Sequence, residues 1–157
     1  MTVKLPNSRS CFACGAENSI GLNLTFHVTG PDTIECVFTA LPEYQGFPGV
    51  LHGGITATIL DELVSRTYMI DDPNRLMYTA RLTTRFRKHV PIGQPLRGVG
   101  TKVKDRGRMA EARAQLFGPD GDLLAEAEGL LADIGMALKQ DELDALGWKV
   151  YPDEVAE

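Results

Sequence analysis

The chain of 157 residues is 43% hydrophobic and 24% charged, which is enough to bury one sizeable core without disulfides or a structural metal. No apolar run reaches membrane-spanning length, and the start Met1-Thr2-Val3-Lys4-Leu5-Pro6 lacks a secretory apolar core, so the expectation is a cytoplasmic protein with no membrane partner. A net charge of −5 argues against nucleic acid as the main partner, because binding a phosphate backbone needs a basic excess; local basic clusters can still hold a small phosphorylated ligand.

In chain order, Leu22, Leu24, Phe26 and Val28 alternate with Asn23, Thr25 and His27; a Gly30-Pro31-Asp32 turn follows, and Ile34, Cys36 and Phe38 then alternate with Glu35, Val37 and Thr39. This predicts a hairpin. Residues 54–70 then carry Ile55, Ala57, Ile59, Leu60, Leu63, Val64, Tyr68 and Met69 over most of a helical circumference, the pattern of a buried central helix. Four strands are predicted after it, at 76–88, 96–104, 109–117 and 123–134, separated by Pro91-Ile92-Gly93, Asp105-Arg106-Gly107 and Gly118-Pro119-Asp120-Gly121. Those connections are too short for crossover helices. The expected order is therefore ββαββββ, an α+β fold in which the last four strands form a meander and the antiparallel sheet curls around one long helix. Ala110, Ala112, Ala114, Ala125 and Ala127 would let that helix sit close. One domain is expected over 1–136, with a tail over 137–157 holding a short helix near 141–146 that ends at Gly147.

Chemistry concentrates at the start of the long helix. His52-Gly53-Gly54 stands directly before it with no Ser, Thr, Asp or Asn adjacent to cap the first amides, so free N–H groups there invite an anion. Thr58, Asp61, Glu62 and Ser65 recur at i, i+3, i+4 and i+7 and form a narrow polar line. A carboxylate on a largely buried helix costs free energy unless it is paired or used, which makes Asp61 a functional candidate; the bland alternative is an exposed, solvated helix edge. Glu62 is its neighbour, but a turn of about 100° per residue points it elsewhere.

Taken together, these residues resemble the hotdog-fold acyl-CoA thioesterases of the phenylacetate-degradation type. The resemblance rests on Cys11-Phe12-Ala13-Cys14-Gly15 with Gly21-Leu22, on residues 46–54 ending in His52-Gly53-Gly54 with Asp61 nine residues after the histidine, and on Tyr78-Thr79-Ala80. It implies that the Gly53 N–H binds the thioester carbonyl, that Asp61 is general base or nucleophile, and that Thr79 helps hold the attacking water. A thioester already has a good leaving group, so oxyanion stabilisation and delivery of water or a carboxylate are the two services required. His52 is expected to fix the turn by hydrogen bonding. Some relatives carry an Asn six residues before the histidine, where this chain has Gly46 beside Gln45.

Eight residues at about 1.5 Å each separate Gly53 from Asp61 by roughly 12 Å along one helix, too far to share a carbonyl. The two can serve one substrate only if they come from different subunits, so a dimer with antiparallel long helices, or a dimer of such dimers, is expected. For substrate binding, Gly54 joins the helix start, and Arg81, Arg85 and Arg87 alternate on what the period places as the Thr79 face, with Lys88 and His89 at the strand end. This basic line could meet the phosphates of coenzyme A, although a solvated or salt-bridged strand face explains each residue equally well. Lys102, Lys104, Arg106 and Arg108 form a second such cluster.

No metal or other cofactor is expected beyond coenzyme A as part of the substrate. Cys11 and Cys14 make a single CxxC with no second pair, only Cys36, His27, His52 and His89 scattered elsewhere, and they do not open a helix in a βαβ unit as a redox pair would. Two other functions of the fold remain in view, a hydratase or dehydratase and a non-catalytic acyl-CoA-binding module. The first needs a histidine as proton carrier and the second needs no carboxylate, so Asp61 speaks against both.

Overall fold

A computed structural model describes residues 2–133 and 138–153. Seven antiparallel strands form one sheet: β1 (Val3–Lys4), β2 (His27–Gly30), β3 (Thr33–Thr39), β4 (Tyr78–Phe86), β5 (Pro95–Asp105), β6 (Met109–Phe117) and β7 (Leu123–Ala132). A helix, α1 (Gly53–Arg66), runs on into a 3-10 turn at Thr67–Ile70, and a short helix, α2 (Gln140–Ala145), follows the last strand. The predicted hairpin forms around Pro31 and Asp32, with Gly30 paired to Thr33. Ile134, expected to close the final strand, and the expected boundary at 136–137 lie outside the described residues.

The sheet order, β1-β2-β3-β5-β6-β7-β4, corrects the predicted meander in one place. β5, β6 and β7 follow one another as expected, but β4 pairs with β7 instead of β5. Residues 87–94 can stretch about 26 Å, ample to cross the roughly 14 Å of three strand spacings without a helix. Hydrogen bonds tie this crossing down: Leu51 N–H to Val90 O at 2.8 Å, Ile92 N–H to Gly49 O at 3.1 Å and Gly93 N–H to Ala40 O at 2.9 Å. Two further differences lie near the N-terminus. β1 was not foreseen, and of the predicted strand at 22–28 only its end enters the ladder. Residues 22–24 instead pair with the cysteine loop, through Leu22 N–H to Phe12 O and Leu24 N–H to Ala13 O.

The core lies between α1 and the inner face of β5, β6 and β7. Ile59, Leu60, Leu63 and Val64 are buried there against the five expected alanines, all of which are also buried. Three glycines bring the layers still closer. A Cβ on Gly98, Gly100 or Gly129 would lie 2.7–2.8 Å from Leu63 or Val64 atoms, so at these three points of closest approach the sheet carries no side chain. The other side of α1 is only half covered within one chain. Ala57, Thr58, Asp61, Glu62 and Ser65 lie along it, beside the sheet's edge strand β4.

Arg66 joins the two ends of the chain to α1. Its side chain is 2% exposed, donates to Glu62 Oε1 at 2.8 Å and Pro6 O at 2.7 Å, and stacks over the rings of Phe26 and Trp148. A buried guanidinium without such partners would be strongly destabilising. α2 docks through buried Leu143, and the segment after it docks through backbone pairing of Asn7 with Lys149. Among the described residues, no helix is long and apolar enough to cross a membrane.

Candidate active site

At the helix start, the first amides can be assigned one by one. Ile55 and Thr56 donate to His52 O at 2.9 and 3.0 Å, and Gly54 N–H donates to His52 Nδ1 at 2.9 Å. Only the Gly53 N–H has no partner among the described residues. The expectation of several open amides therefore narrows to one, because the histidine acts as the cap that the sequence lacked in Ser, Thr, Asp or Asn. His52 thereby caps the helix start, and Gly54 is tied into the cap. A Cβ on Gly54 would come within 3.1 Å of His52 Nδ1, whereas one on Gly53 would only touch the Phe86 ring at 3.7 Å.

Gly46, standing where some relatives have Asn, lies against this cap. A Cβ there would be 3.3 Å from His52 Cα, and Gln45 Oε1 is engaged by Gly49 N–H at 3.2 Å instead of reaching inward. The free amide opens into a cleft of about 540 Å³ walled by Phe47, Val50, Leu51, Phe86 and Val90, with Lys88 and His89 at its rim. Thr56 also lines it. Its hydroxyl is buried and has no partner among the described residues, a feature that nothing in the sequence distinguished.

The second half of the site lies two turns along α1. Asp61 is half-buried, and burial raises its pKa above the ordinary carboxylate value; hydrogen bonding from the Thr79 side chain opposes that rise, and the charge of Glu62 adds to it. The hydroxyls beside it are spent within the helix, Thr58 on Gly54 O at 2.9 Å and Ser65 on Glu62 O at 3.2 Å. Glu62 points away from Asp61, to Arg66.

Thr79 reaches Asp61 because β4 is not a regular strand. Thr79 pairs with Leu131 and Arg81 with Leu130, so a bulge at Ala80 shifts the register by one residue. Thr79, Leu82, Thr84 and Phe86 consequently stand opposite Leu131, Gly129, Ala127 and Ala125 on the helix side. Arg81 and Arg85 stand opposite Leu130 and Glu126 on the outer side. The expectation that these arginines share the Thr79 face is overturned: one extra residue inverts a period of two. Arg81 and Arg85 line grooves on the outer sheet surface with Arg113 and Glu128, and Arg87 is paired with Glu126 at 2.9 Å. Of the expected basic line, Lys88 and His89 reach the cleft; Lys88 also meets exposed Asp122 at 3.0 Å. In the second basic cluster, Lys102 is held by Asp71 and Asp32.

The fold and the capped helix start define a hotdog-fold protein, one helix wrapped by an antiparallel sheet. Residues 48–125, which include His52, Gly53, Asp61 and Thr79, match the thioesterase superfamily. Among curated proteins the chain is similar to mouse acyl-coenzyme A thioesterase THEM5, 31% identical over 68 residues, 43% of this chain and 26% of that protein. Among solved structures it resembles RHA08564, a thioesterase superfamily protein, with a TM-score of 0.72 and 26% identity over 79% of this chain and 63% of that one. It also resembles the Escherichia coli PaaI protein from the phenylacetic acid degradation operon, with a TM-score of 0.64 and 11% identity over 71% of this chain and 84% of that one. The chain thus spans about a quarter of the length of the curated relative it matches, and under two thirds of the first of these structures.

Proposed function

We propose that the protein is an acyl-CoA thioesterase that hydrolyses its substrate to free acid and coenzyme A at sites shared between two subunits. The observation that carries this reading is the pairing of a half-buried Asp61, whose raised pKa the Thr79 side chain tempers, with a single amide at Gly53 unpartnered among the described residues, set two helical turns apart on one element. The superfamily match over 48–125 and the likeness to a mouse acyl-coenzyme A thioesterase support the choice of substrate class.

In this reading the thioester carbonyl oxygen accepts the Gly53 N–H at the positive end of α1, and the acyl group enters the apolar cleft beneath Phe47 and Phe86. Asp61 of the other subunit takes a proton from a water positioned with the help of Thr79. The hydroxide adds to the carbonyl carbon, and the oxyanion gathers on the Gly53 amide, which is aimed where charge develops. Collapse breaks the C–S bond, and the proton held by Asp61 goes to the departing thiolate. Direct attack by the Asp61 carboxylate, giving an anhydride that water then opens, uses the same groups. Lys88 and His89 sit where phosphates of coenzyme A would leave the cleft.

The half-exposed line of α1 and the edge strand β4 beside it provide the surface on which a second chain would bring its own Asp61 to this Gly53. The test is thiol release from a panel of acyl-CoAs. Asp61→Asn and Asp61→Ala should lose about a hundredfold or more in turnover with the fold retained. Activity within a few fold of wild type in Asp61→Ala would refute the assignment, and an inactive Glu62→Ala beside an active Asp61→Ala would move the role to Glu62.

A further inference from the structure

The CxxC loop that the proposed hydrolysis leaves unused is built around its first sulfur. Cys11 Sγ accepts the N–H groups of Ala13 at 3.3 Å and Cys14 at 3.4 Å, while Ser8 Oγ accepts the Cys11 N–H at 3.2 Å and lies 3.8 Å from Cys14 Sγ. Gly15 N–H closes the loop on Cys11 O at 2.8 Å, and a Cβ on Gly15 would collide with that carbonyl. The two sulfurs and a Glu62 carboxylate oxygen all lie within 4.8 Å of one another. Cys11 is half-exposed and Cys14 is buried.

These three ligand atoms would invite a divalent cation, but Glu62 is committed to Arg66 at 2.8 Å. Drawing it onto a metal would leave a guanidinium that is 2% exposed without its counter-charge, a strongly unfavourable exchange. What remains is a pair of adjacent thiols of unequal access, one cradled by backbone donors and open to solvent, the other directly behind it.

We propose that Cys11 and Cys14 form a redox-active dithiol, in which Cys11 is the thiol that attacks a low-molecular-weight disulfide and Cys14 is the thiol that resolves the adduct. Cys11 thiolate displaces one thiolate from R–S–S–R and forms Cys11–S–S–R. Cys14 then gives up its proton, its sulfur attacks Cys11 Sγ, and the second RS⁻ leaves. The pair is oxidised by two electrons and the small disulfide is reduced to two thiols. The electrostatics agree with this division of labour. The Cys14 thiol hydrogen-bonds the Cys11 sulfur and, with the backbone donors, pulls Cys11 down to about 6, while the same bond and burial push Cys14 up. Once Cys11 is capped, that bond no longer holds the proton on Cys14. Cys36, buried and pushed up to about 12, serves as an internal control that should stay unreactive.

The experiment exposes the reduced, metal-free protein to oxidised glutathione and follows intact mass and peptide maps. Wild type should lose two hydrogens and carry a Cys11–Cys14 link without a lasting adduct. Cys14→Ser should retain one glutathione on Cys11, and Cys11→Ser should do neither. The wild-type result decides the matter even where a substituted chain fails to fold. A stable adduct on wild type, labelling that falls first on Cys36, or no reaction would overturn the proposal. So would stoichiometric binding of added zinc(II) that blocks Cys11 and Cys14 from forming the link.

Discussion

Asp61 and Thr79 form a pair whose balance should be visible in pH dependence. Burial raises the carboxyl above its ordinary value of 3.8 and Thr79 pulls it back. A raised folded value means that the folded state holds the proton more tightly than the unfolded chain. The contribution of Asp61 to stability is therefore present below the ordinary value and lost as pH rises through the folded one, so Asp61→Asn should leave neutral-pH stability unchanged or higher. For activity the proposed mechanism gives the opposite sign: with Asp61 as the base, the carboxylate is the working form and the acid limb of kcat should lie above the ordinary value. Thr79→Ala should move that limb further up and reduce turnover moderately, with little loss of thermal stability, and Thr79→Ser should restore both. An acid limb that does not move in Thr79→Ala would remove the hydroxyl from the site. At the same scale, Glu62 shows how far one residue of helical rotation separates roles: Asp61 meets Thr79 on β4, while Glu62 secures a buried arginine that clasps both ends of the chain.

The elements place these residues through close contact more than through specific bonds. α1 lies so near the sheet that Gly98, Gly100 and Gly129 stand where any side chain would strike it. Gly129→Ala would put a methyl 2.8 Å from Val64 Cγ2, and overpacking of that kind should destabilise by about 1–3 kcal/mol. Urea unfolding measures it, with Gly30→Ala as a control, because a Cβ there makes only ordinary contact at 3.6 Å. A Gly129→Ala midpoint equal to wild type would mean that helix and sheet are free to separate. The alternation of apolar and polar residues and the turn signals between them made most of the strands legible, and the alanines signalled the close helix. The strand glycines gave no such signal, since an isolated glycine reads as a weak point in a strand until the surface packed against it is known. The bulge at Ala80 was equally silent; periodicity carries no mark of one extra residue, and that residue decides which of Thr79 and Arg81 faces the helix.

For the molecule as a whole, the helix start and Asp61 belong to different halves of one site only if two chains combine. Mixing Gly53→Pro, which lacks the N–H, with Asp61→Ala should rebuild one competent site per mixed dimer. After random exchange about half the dimers are mixed and each holds one site of two, so about a quarter of wild-type activity should return, provided both chains fold and exchange. A well-exchanged mixture that stays inactive, or a fully active monomer at high dilution, would place the whole site within one chain.

The sequence by itself determined the class of fold, the long helix, the glycine turn at its start and the carboxylate nine residues after His52, because these rest on local period and short spacing along one element. It also determined, through the rise of a helix, that Gly53 and Asp61 stand about 12 Å apart. The tertiary structure decided the rest. It set β4 beside β7, since a loop of eight residues can reach either neighbour; it left one amide open at the helix start, since the cap is a histidine; and it turned Arg81 and Arg85 outward. It also brought Glu62 beside the cysteine pair, 48 residues after Cys14 in the chain, and gave it to Arg66. Each of these depends on which surfaces meet, and contacts between distant segments are governed by packing that no local pattern encodes.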